Sequence, residues 1–135
     1  MSRGLRNRNP GNIRISKTKY PGEVTPSQDR AFKQFSTMAW GYRAMFVLLH
    51  TYKESGYRTL RQMINRYAPP IENHTENYIA SVSRWADVFA DVTLDTNDPA
   101  VMIPVVSAMS RVENGIPAVE ADVREGWRLF QQHKP

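Results

Sequence analysis

From Ser36 onward, apolar residues recur every three or four positions, which is the repeat of an amphipathic α-helix. Capping residues and helix breakers divide this region into five predicted helices. They run from Ser36 or Thr37 to about Ser55, from Thr59 to Tyr67, from a cap at Thr75 onward, from Asp98 to Val112 or Asn114, and from Ala118 to about Gln132. The first is apolar around most of its circumference, so we expect it to be the buried central helix.

Two of these helices carry an apolar face that is expected to pack against the core. The residues on these faces are Tyr78, Val82, Trp85 and Phe89 in the third helix and Val119, Val123, Trp127 and Phe130 in the fifth. Pro104 lies inside the fourth helix and predicts a kink there, since proline removes a backbone hydrogen bond.

The first 35 residues are punctuated by glycine and proline, which is typical of loops. Two short alternating stretches, around residues 13–15 and 31–35, are predicted to pair as a small hairpin. About five helices and one hairpin make an α+β fold that is mainly α. A length of 135 residues suits one domain spanning 1–135.

The composition limits the classes of function. Eighteen Lys and Arg residues against 13 Asp and Glu give a net charge of +5, which favours a polyanionic partner such as nucleic acid or the bacterial wall. A solvated basic face explains the same surplus. The chain has no cysteine, which excludes disulfides, thiolate metal sites and cysteine nucleophiles. No apolar stretch follows the basic N-terminus, and the longest apolar run, 45–49, is too short to span a bilayer.

Glu113 is the carboxylate whose position is most informative. It follows Met102, Val106 and Met109 at steps of four, three and four, so it extends a stripe that packs inward. Partial burial and the negative end of the helix dipole both raise the pKa of a carboxyl group. A general acid that cleaves a glycosidic bond needs a carboxyl that stays protonated near neutral pH. A rim glutamate that reaches water, or one bonded to loop amides, fits the same spacing.

Two polar segments contain further candidates. After the di-proline at 69–70, Glu72, Asn73 and His74 can face a cleft, although Asn73 or Thr75 can equally cap the next helix. In the N-terminal loop, Asn12 and Arg14 can contact polar sugar groups and Tyr20 can stack on a sugar ring, but a tight turn explains them too.

Motifs for cofactors and metals are missing from the sequence. The three histidines lack metal-ligand spacing, no glycine-rich loop matches a phosphate cradle, and Gly-x-Ser-x-Gly does not occur. We therefore expect neither a metal nor a cofactor.

A series of motifs extends in order over nearly the whole chain. They are Arg3-Gly4-Leu5-Arg6-Asn7-Arg8-Asn9-Pro10-Gly11-Asn12-Ile13-Arg14, Tyr20-Pro21-Gly22, Asp29 with Phe32 and Phe35, Gly41-Tyr42-Arg43-Ala44, the stretch 64–70, Glu72-Asn73-x-Thr75-x-x-Tyr78, and Arg111-Val112-Glu113-Asn114-Gly115. This set resembles a family of phage and prophage proteins described as virion structural proteins. The chain departs from the family pattern at Tyr20 and Tyr67, where tryptophan is expected, and at Val112, where histidine is common.

A second similarity concerns catalysis. Residues 108–115 resemble the helix end of lysozyme-like lytic transglycosylases, where an apolar helix closes on the catalytic glutamate. Residues 9–14 resemble the Asn-x-x-x-Ile-Lys stretch that follows the catalytic helix in bacterial wall glucosaminidases. In those enzymes the glutamate helix comes first, whereas here it comes near the end. The resemblance therefore implies a circularly permuted lysozyme-like fold with Glu113 in the catalytic place.

These resemblances imply a phage-derived protein that cleaves the glycan strand of peptidoglycan by general acid catalysis, as a hydrolase or a lytic transglycosylase. Glu113 is the expected catalytic acid, and Glu72 is preferred over Glu23 and Asp29 as a second carboxylate. The residues expected to hold the glycan are Asn12, Arg14, Tyr20, Asn73 and Tyr78. Such a protein is expected to be made in the bacterial cytoplasm without a signal peptide and to act in the virion, the periplasm or the cell wall.

Two other functions remain open. A non-catalytic virion component would keep this fold and join other phage proteins. A basic nucleic-acid-binding module is suggested by the net charge of +5, but no helix carries a one-sided run of Lys and Arg and no binding motif occurs, so it ranks last. The expected partners are thus peptidoglycan and other virion proteins, without membrane insertion.

Overall fold

A computed structural model describes residues 1–71 and 73–134 of the chain. Over these residues it has six helices and one two-stranded antiparallel sheet, which confirms the mainly α, α+β class. The helices are α1 (Arg3–Arg6), α2 (Met38–Glu54), α3 (Leu60–Tyr67), α4 (Thr75–Ala86), α5 (Pro99–Asn114) and α6 (Glu120–Gln132), and the strands are β1 (Glu23–Val24) and β2 (Gln34–Phe35). None of the helices in the described residues is both long enough and apolar enough to cross a membrane.

Local capping signals set the ends of three helices as predicted. Thr37 caps α2, and Thr59 forms a capping box with Gln62 at the start of α3. Asp98 caps α5 just before Pro99, the first helical residue. These side chains accept bonds from backbone N–H groups that have no partner within the helix.

The predictions for α4 are partly wrong. Thr75 is the first helical residue and His74 is the cap, because the Thr75 hydroxyl donates to the carbonyl of Ala68, 2.6 Å away. Tyr78 and Val82 are buried as expected, but Trp85 is 38% exposed and Phe89 is 81% exposed. The helix ends at Ala86 because Asp87 adopts a left-handed conformation (φ 55°), so Phe89 no longer lies on the helical face.

The predicted inward face of α6 is correct for three of its four residues and wrong for Val119. Val123 and Phe130 are buried and Trp127 packs against the core, whereas Val119 is 62% exposed. Val119 is the cap residue of α6, with an extended backbone, and so its side chain lies off the helical stripe.

The N-terminal strand pairing is more extensive than predicted. Residues 13–15 and 31–33 pair antiparallel, with Lys33 N donating to Ile13 O at 2.9 Å and Arg14 opposite Phe32. The regular sheet, however, joins β1 to β2, with Glu23 opposite Phe35. Two-residue strands carry too short a pattern for the sequence to indicate β1.

The central helix α2 packs closely against α6, as its apolar circumference predicts. A Cβ atom on Gly126 would lie 2.6 Å from the Cβ of Tyr42, so glycine lets the two helices approach. Beside this contact, Phe46 meets the edge of Trp127, with ring centroids 5.0 Å apart, and stacks with Phe130 at 6.0 Å. This aromatic cluster joins α2 to α6 within the core, whereas α4 packs on α5 and α3.

Candidate active site

The C-terminal end of α5 carries Glu113. The apolar stripe that leads to Glu113 is buried as predicted, with Met102, Val106 and Met109 at most 1% exposed. Glu113 follows them as a partly buried residue. The helix then ends at Gly115, whose φ of 76° lies in the left-handed region that favours glycine. Glu113 is thus held on a regular helix at the edge of the core.

Asn114 fixes this helix end against the N-terminal loop. Its Nδ2 donates to the carbonyl of Pro10 at 2.9 Å, and its Oδ1 accepts from the hydroxyl of Ser2 at 2.7 Å. Because Asn114 follows Glu113 directly, these bonds also fix the carboxyl group relative to the loop.

The buried side chain of Asn9 holds the loop by hydrogen bonds to its backbone. Its fully buried Nδ2 donates to the carbonyls of Ile13 and Lys33, both at 2.9 Å, and its Oδ1 accepts from the backbone N–H of Ile13 at 3.0 Å. The loop presents Asn12 in a left-handed conformation (φ 49°), which asparagine adopts more readily than most residues. Asn12 Nδ2 then donates to Glu113 Oε1 at 2.9 Å.

Tyr78 of α4 supplies a second donor, since its hydroxyl donates to Glu113 Oε2 at 2.9 Å. Burial raises the pKa of Glu113 above its ordinary value, and the bonds from Asn12 and Tyr78 oppose this rise by stabilising the carboxylate. The effect of burial is the larger, so Glu113 holds a proton to higher pH than an exposed glutamate does. Burial also raises the pKa of Tyr78 well above its usual range, so the phenol stays protonated and can donate.

Two grooves meet at Glu113. The wide groove has a volume of about 480 Å³ and the narrow groove about 300 Å³. The side chains in the wide groove that matter for binding are Asn12, Arg14, Ser16, Thr18, Tyr20, Tyr52, Arg66 and Tyr67, and those in the narrow groove are His74, Asn77, Tyr78 and Ser81. Glu113 and Asn73 line both grooves. A chain-like ligand that occupied both grooves would therefore pass the carboxyl group of Glu113.

All five residues expected to hold a glycan line this cleft. Asn12, Arg14 and Tyr20 line the wide groove, Tyr78 lines the narrow groove, and Asn73 lines both. Their contact with a glycan stays a prediction. Glu72, the preferred second carboxylate, lies outside the described residues.

The other two carboxylates considered, Glu23 and Asp29, form ion pairs and line neither groove. Glu23 Oε1 accepts from Nζ of the buried Lys33 at 2.9 Å. Asp29 accepts from Arg3 at 2.6 and 2.8 Å, and this guanidinium holds the pKa of Asp29 well below its usual range. Both carboxylates therefore stabilise the N-terminal region instead of facing a ligand.

Several cleft residues, among them Tyr52, Arg66 and Tyr67, were not identified as binding residues from the sequence. Tyr67 donates to the carbonyl of Gly11 at 2.5 Å. In the sequence, Arg66 and Tyr67 belong to the motif at 64–70, which does not by itself indicate contact with a ligand. Tyr52 also lines the wide groove, four residues after Leu48 on one face of α2. The four-residue spacing of Leu48 and Tyr52 indicates that they share a face of α2. Because α2 is apolar on most sides, the sequence does not show that this face is accessible to a ligand.

A cavity larger than either groove, about 760 Å³, lies elsewhere, between α4, α5 and the start of α6. Its carboxylate, Glu120, is exposed and pairs with Arg124 at 3.1 Å, whereas Glu113 is partly buried. Its walls are mostly apolar, and Arg111 covers the ring of Trp85 at 4.0 Å. The partly buried carboxyl group of Glu113 therefore lies in the cleft and not in this cavity.

In the part of the chain that the structure describes, no three His, Cys, Asp or Glu side chains lie together in a group that could hold a metal ion. The donors around Glu113 are instead an amide and a phenol, which orient a carboxyl group.

Comparison with known proteins identifies a viral relative. No protein-family model matches the chain. The chain is, however, 36% identical over 132 residues to Protein P5 of Pseudoalteromonas phage PM2, and the match covers 93% of this chain and 80% of that protein. The expectation of a phage protein is thereby confirmed, and the chain belongs to the family of Protein P5 of Pseudoalteromonas phage PM2.

Proposed function

We propose that this phage-family protein cleaves the glycan strand of bacterial peptidoglycan, with Glu113 as the general acid. The observation that carries the proposal is the partly buried Glu113 at the junction of two grooves, with a pKa raised by burial. A carboxyl group of this kind can keep its proton until a glycosidic oxygen is bound beside it.

In the proposed reaction Glu113 gives its proton to the glycosidic oxygen. The bond from the anomeric carbon to that oxygen breaks, and its electron pair goes to the leaving oxygen. The resulting oxocarbenium-like centre is attacked by water or by a hydroxyl of the same sugar, and the attacking group returns a proton to Glu113. Among the described residues that line the grooves, Glu113 is the only carboxyl group, and the intramolecular route of a lytic transglycosylase needs only one.

The walls of the cleft suit a sugar chain. The wide groove offers the aromatic side chains of Tyr20, Tyr52 and Tyr67, and Asn73 presents an amide where the two grooves meet. Aromatic faces combined with a few polar groups are typical of small-ligand sites. The net charge of +5 would also favour encounter with the anionic wall, and added salt should weaken this attraction.

A non-catalytic virion component is the second candidate. It is favoured by the viral relative and by the apolar cavity of about 760 Å³, which leaves room for another chain away from Glu113. It predicts stable association with another phage protein and no loss of function when Glu113 is neutralised.

Incubation of purified peptidoglycan with the protein tests the proposed function. We expect soluble fragments that carry new sugar ends, because the bond that breaks is glycosidic. New amino groups without new sugar ends would indicate a peptidase instead. The absence of any fragments from folded protein would favour the virion component.

The hydrogen bond from Tyr78 predicts a change in the pH profile of a Tyr78→Phe variant. This bond lowers the pKa of Glu113, so its removal raises that pKa further. An acid works only below its pKa, so activity is lost as pH rises through that value. The alkaline limb of the profile should therefore move to higher pH, as measured from initial rates across pH 4–9.

Tyr42→Phe is the matched control for this prediction. It also removes a buried phenol hydroxyl, which hydrogen-bonds to Ser110 at 2.9 Å and not to Glu113. Its alkaline limb should coincide with that of the parent. An alkaline limb that stays in place or moves to lower pH in Tyr78→Phe would show that the phenol does not act on the catalytic acid.

A further inference from the structure

The described residues that line the two grooves at Glu113 differ in their content of cationic side chains. The wide groove has two arginines in its wall, Arg14 and Arg66. The narrow groove has no Lys or Arg among its described lining residues, which apart from Glu113 are amides, a histidine, hydroxyls and a valine. A ligand that bears negative charge on one side of its scissile bond would therefore bind more favourably in one direction than in the other.

Arg66 is the clearer of the two cations. It is an exposed residue in the last turn of α3, and its guanidinium lies 5.6 Å from the ring centre of Tyr57. Among the described residues it forms no ion pair, unlike Arg61 on the same helix, which pairs with Glu76 and Asp91. A guanidinium held against an aromatic ring keeps its hydrogen-bonding edge free for a planar anion.

Residues beside Arg66 connect it to the catalytic acid. Tyr67 follows it and donates to the carbonyl of Gly11, which precedes Asn12, the donor to Glu113. Ser16 and Thr18 line the same groove and offer hydroxyl groups to the ligand. Arg66 thus lines the same groove as Glu113 and extends from a helix that is bonded to the loop beside this glutamate.

We infer that the wide groove contains a carboxylate-binding subsite, with Arg66 as its cation, that takes the acidic sugar of the glycan and leaves the uncharged sugar for the narrow groove. The inference rests on the proposed function and deepens it. Peptidoglycan alternates a neutral N-acetylhexosamine with one that bears a lactyl carboxylate or its peptide. Arginine binds carboxylates through two parallel N–H···O bonds, so it can distinguish these two sugars. Because the two sugars alternate, every glycosidic bond of the strand joins an acidic sugar to a neutral one, and this subsite directs Glu113 to only one of the two kinds of bond.

Binding of two tetrasaccharides tests this inference in the Glu113→Gln background, where neither ligand is consumed. One alternates N-acetylglucosamine with N-acetylmuramic acid, and the other is chitotetraose, which has the same length and no carboxylate. At pH 8, where an ordinary histidine is neutral, calorimetry should give about tenfold tighter binding of the acidic ligand. Adding Arg66→Gln should reduce the preference to about twofold, and Arg66→Lys should retain part of it.

Arg124→Gln in the same background is the matched control. Arg124 lines the cavity of about 760 Å³, so its removal should leave both affinities and their ratio unchanged. Equal binding of the two tetrasaccharides before any change at Arg66, or equal weakening of both by Arg66→Gln, would overturn the inference. Either result would leave the proposed cleavage intact. Failure of both ligands to bind, with no cleavage by the parent protein, would overturn the proposed function as well.

Discussion

Glu113→Gln is expected to lower the rate of peptidoglycan cleavage by about 10²- to 10⁴-fold, the usual contribution of a general acid. Glutamine preserves the shape of the side chain and can still bond to Asn12 or Tyr78, but it has no proton to give at neutral pH. The rate of release of soluble glycan fragments measures this loss. A decrease of less than about threefold would remove Glu113 from the mechanism.

The variant should remain folded, which separates a chemical loss from a structural one. Because burial raises the pKa of Glu113, the native state holds the proton more tightly than the unfolded state. Stability therefore falls as pH rises from the ordinary glutamate pKa through the raised one. Glutamine does not ionise, so Glu113→Gln should be at least as stable as the parent at pH 7. Glu120→Gln, an isosteric change at an exposed glutamate outside the cleft, is the control and should retain full activity.

Asn9→Ala should have the largest effect on stability among polar substitutions in the N-terminal loop. Its side chain makes three buried hydrogen bonds, to the carbonyls of Ile13 and Lys33 and from the N–H of Ile13. A buried polar group left without a partner costs about 1–3 kcal/mol, and alanine would leave the Ile13 N–H and the Lys33 carbonyl without this partner. We expect the free energy of unfolding to fall by about 3 kcal/mol, as measured by urea denaturation.

Asn97→Ala provides the comparison for this prediction. Asn97 is exposed, and its side chain accepts only from Lys134 on the surface, so its loss should change stability by less than about 0.5 kcal/mol. Equal losses in the two variants would show that the buried amide does not organise the loop. If the loop opens in Asn9→Ala, cleavage should fall too, because Asn12 would no longer be held against Glu113.

The helices could be predicted largely because their signals are local. Asp98, Pro99 and Gly115 mark the ends of α5 within the residues that form it, and the stripe that leads to Glu113 follows from helical geometry alone. The error at the start of α4 has a tertiary origin. The bond from Thr75 to Ala68 depends on how the preceding loop folds back.

The candidate site could be predicted only in part because its members are distant in sequence. Asn12 and Glu113 are separated by 101 positions and Tyr78 and Glu113 by 35, and no periodicity connects them. The turn formers around Asn12 indicated a polar loop, but its left-handed backbone and its contact with α5 depend on Asn9 and Asn114. Long-range packing, not local propensity, therefore gives Glu113 its two donors.

Side-by-side digestion of purified peptidoglycan by the parent protein and by Glu113→Gln, with the fragments read by mass spectrometry, tests the central claim most directly. We expect glycan fragments from the parent, with anhydro ends if a hydroxyl of the same sugar attacks and reducing ends if water does. We expect these fragments to be nearly absent from the variant digest. Identical fragments from both proteins, or none from either while both are folded, would contradict a catalytic role for Glu113.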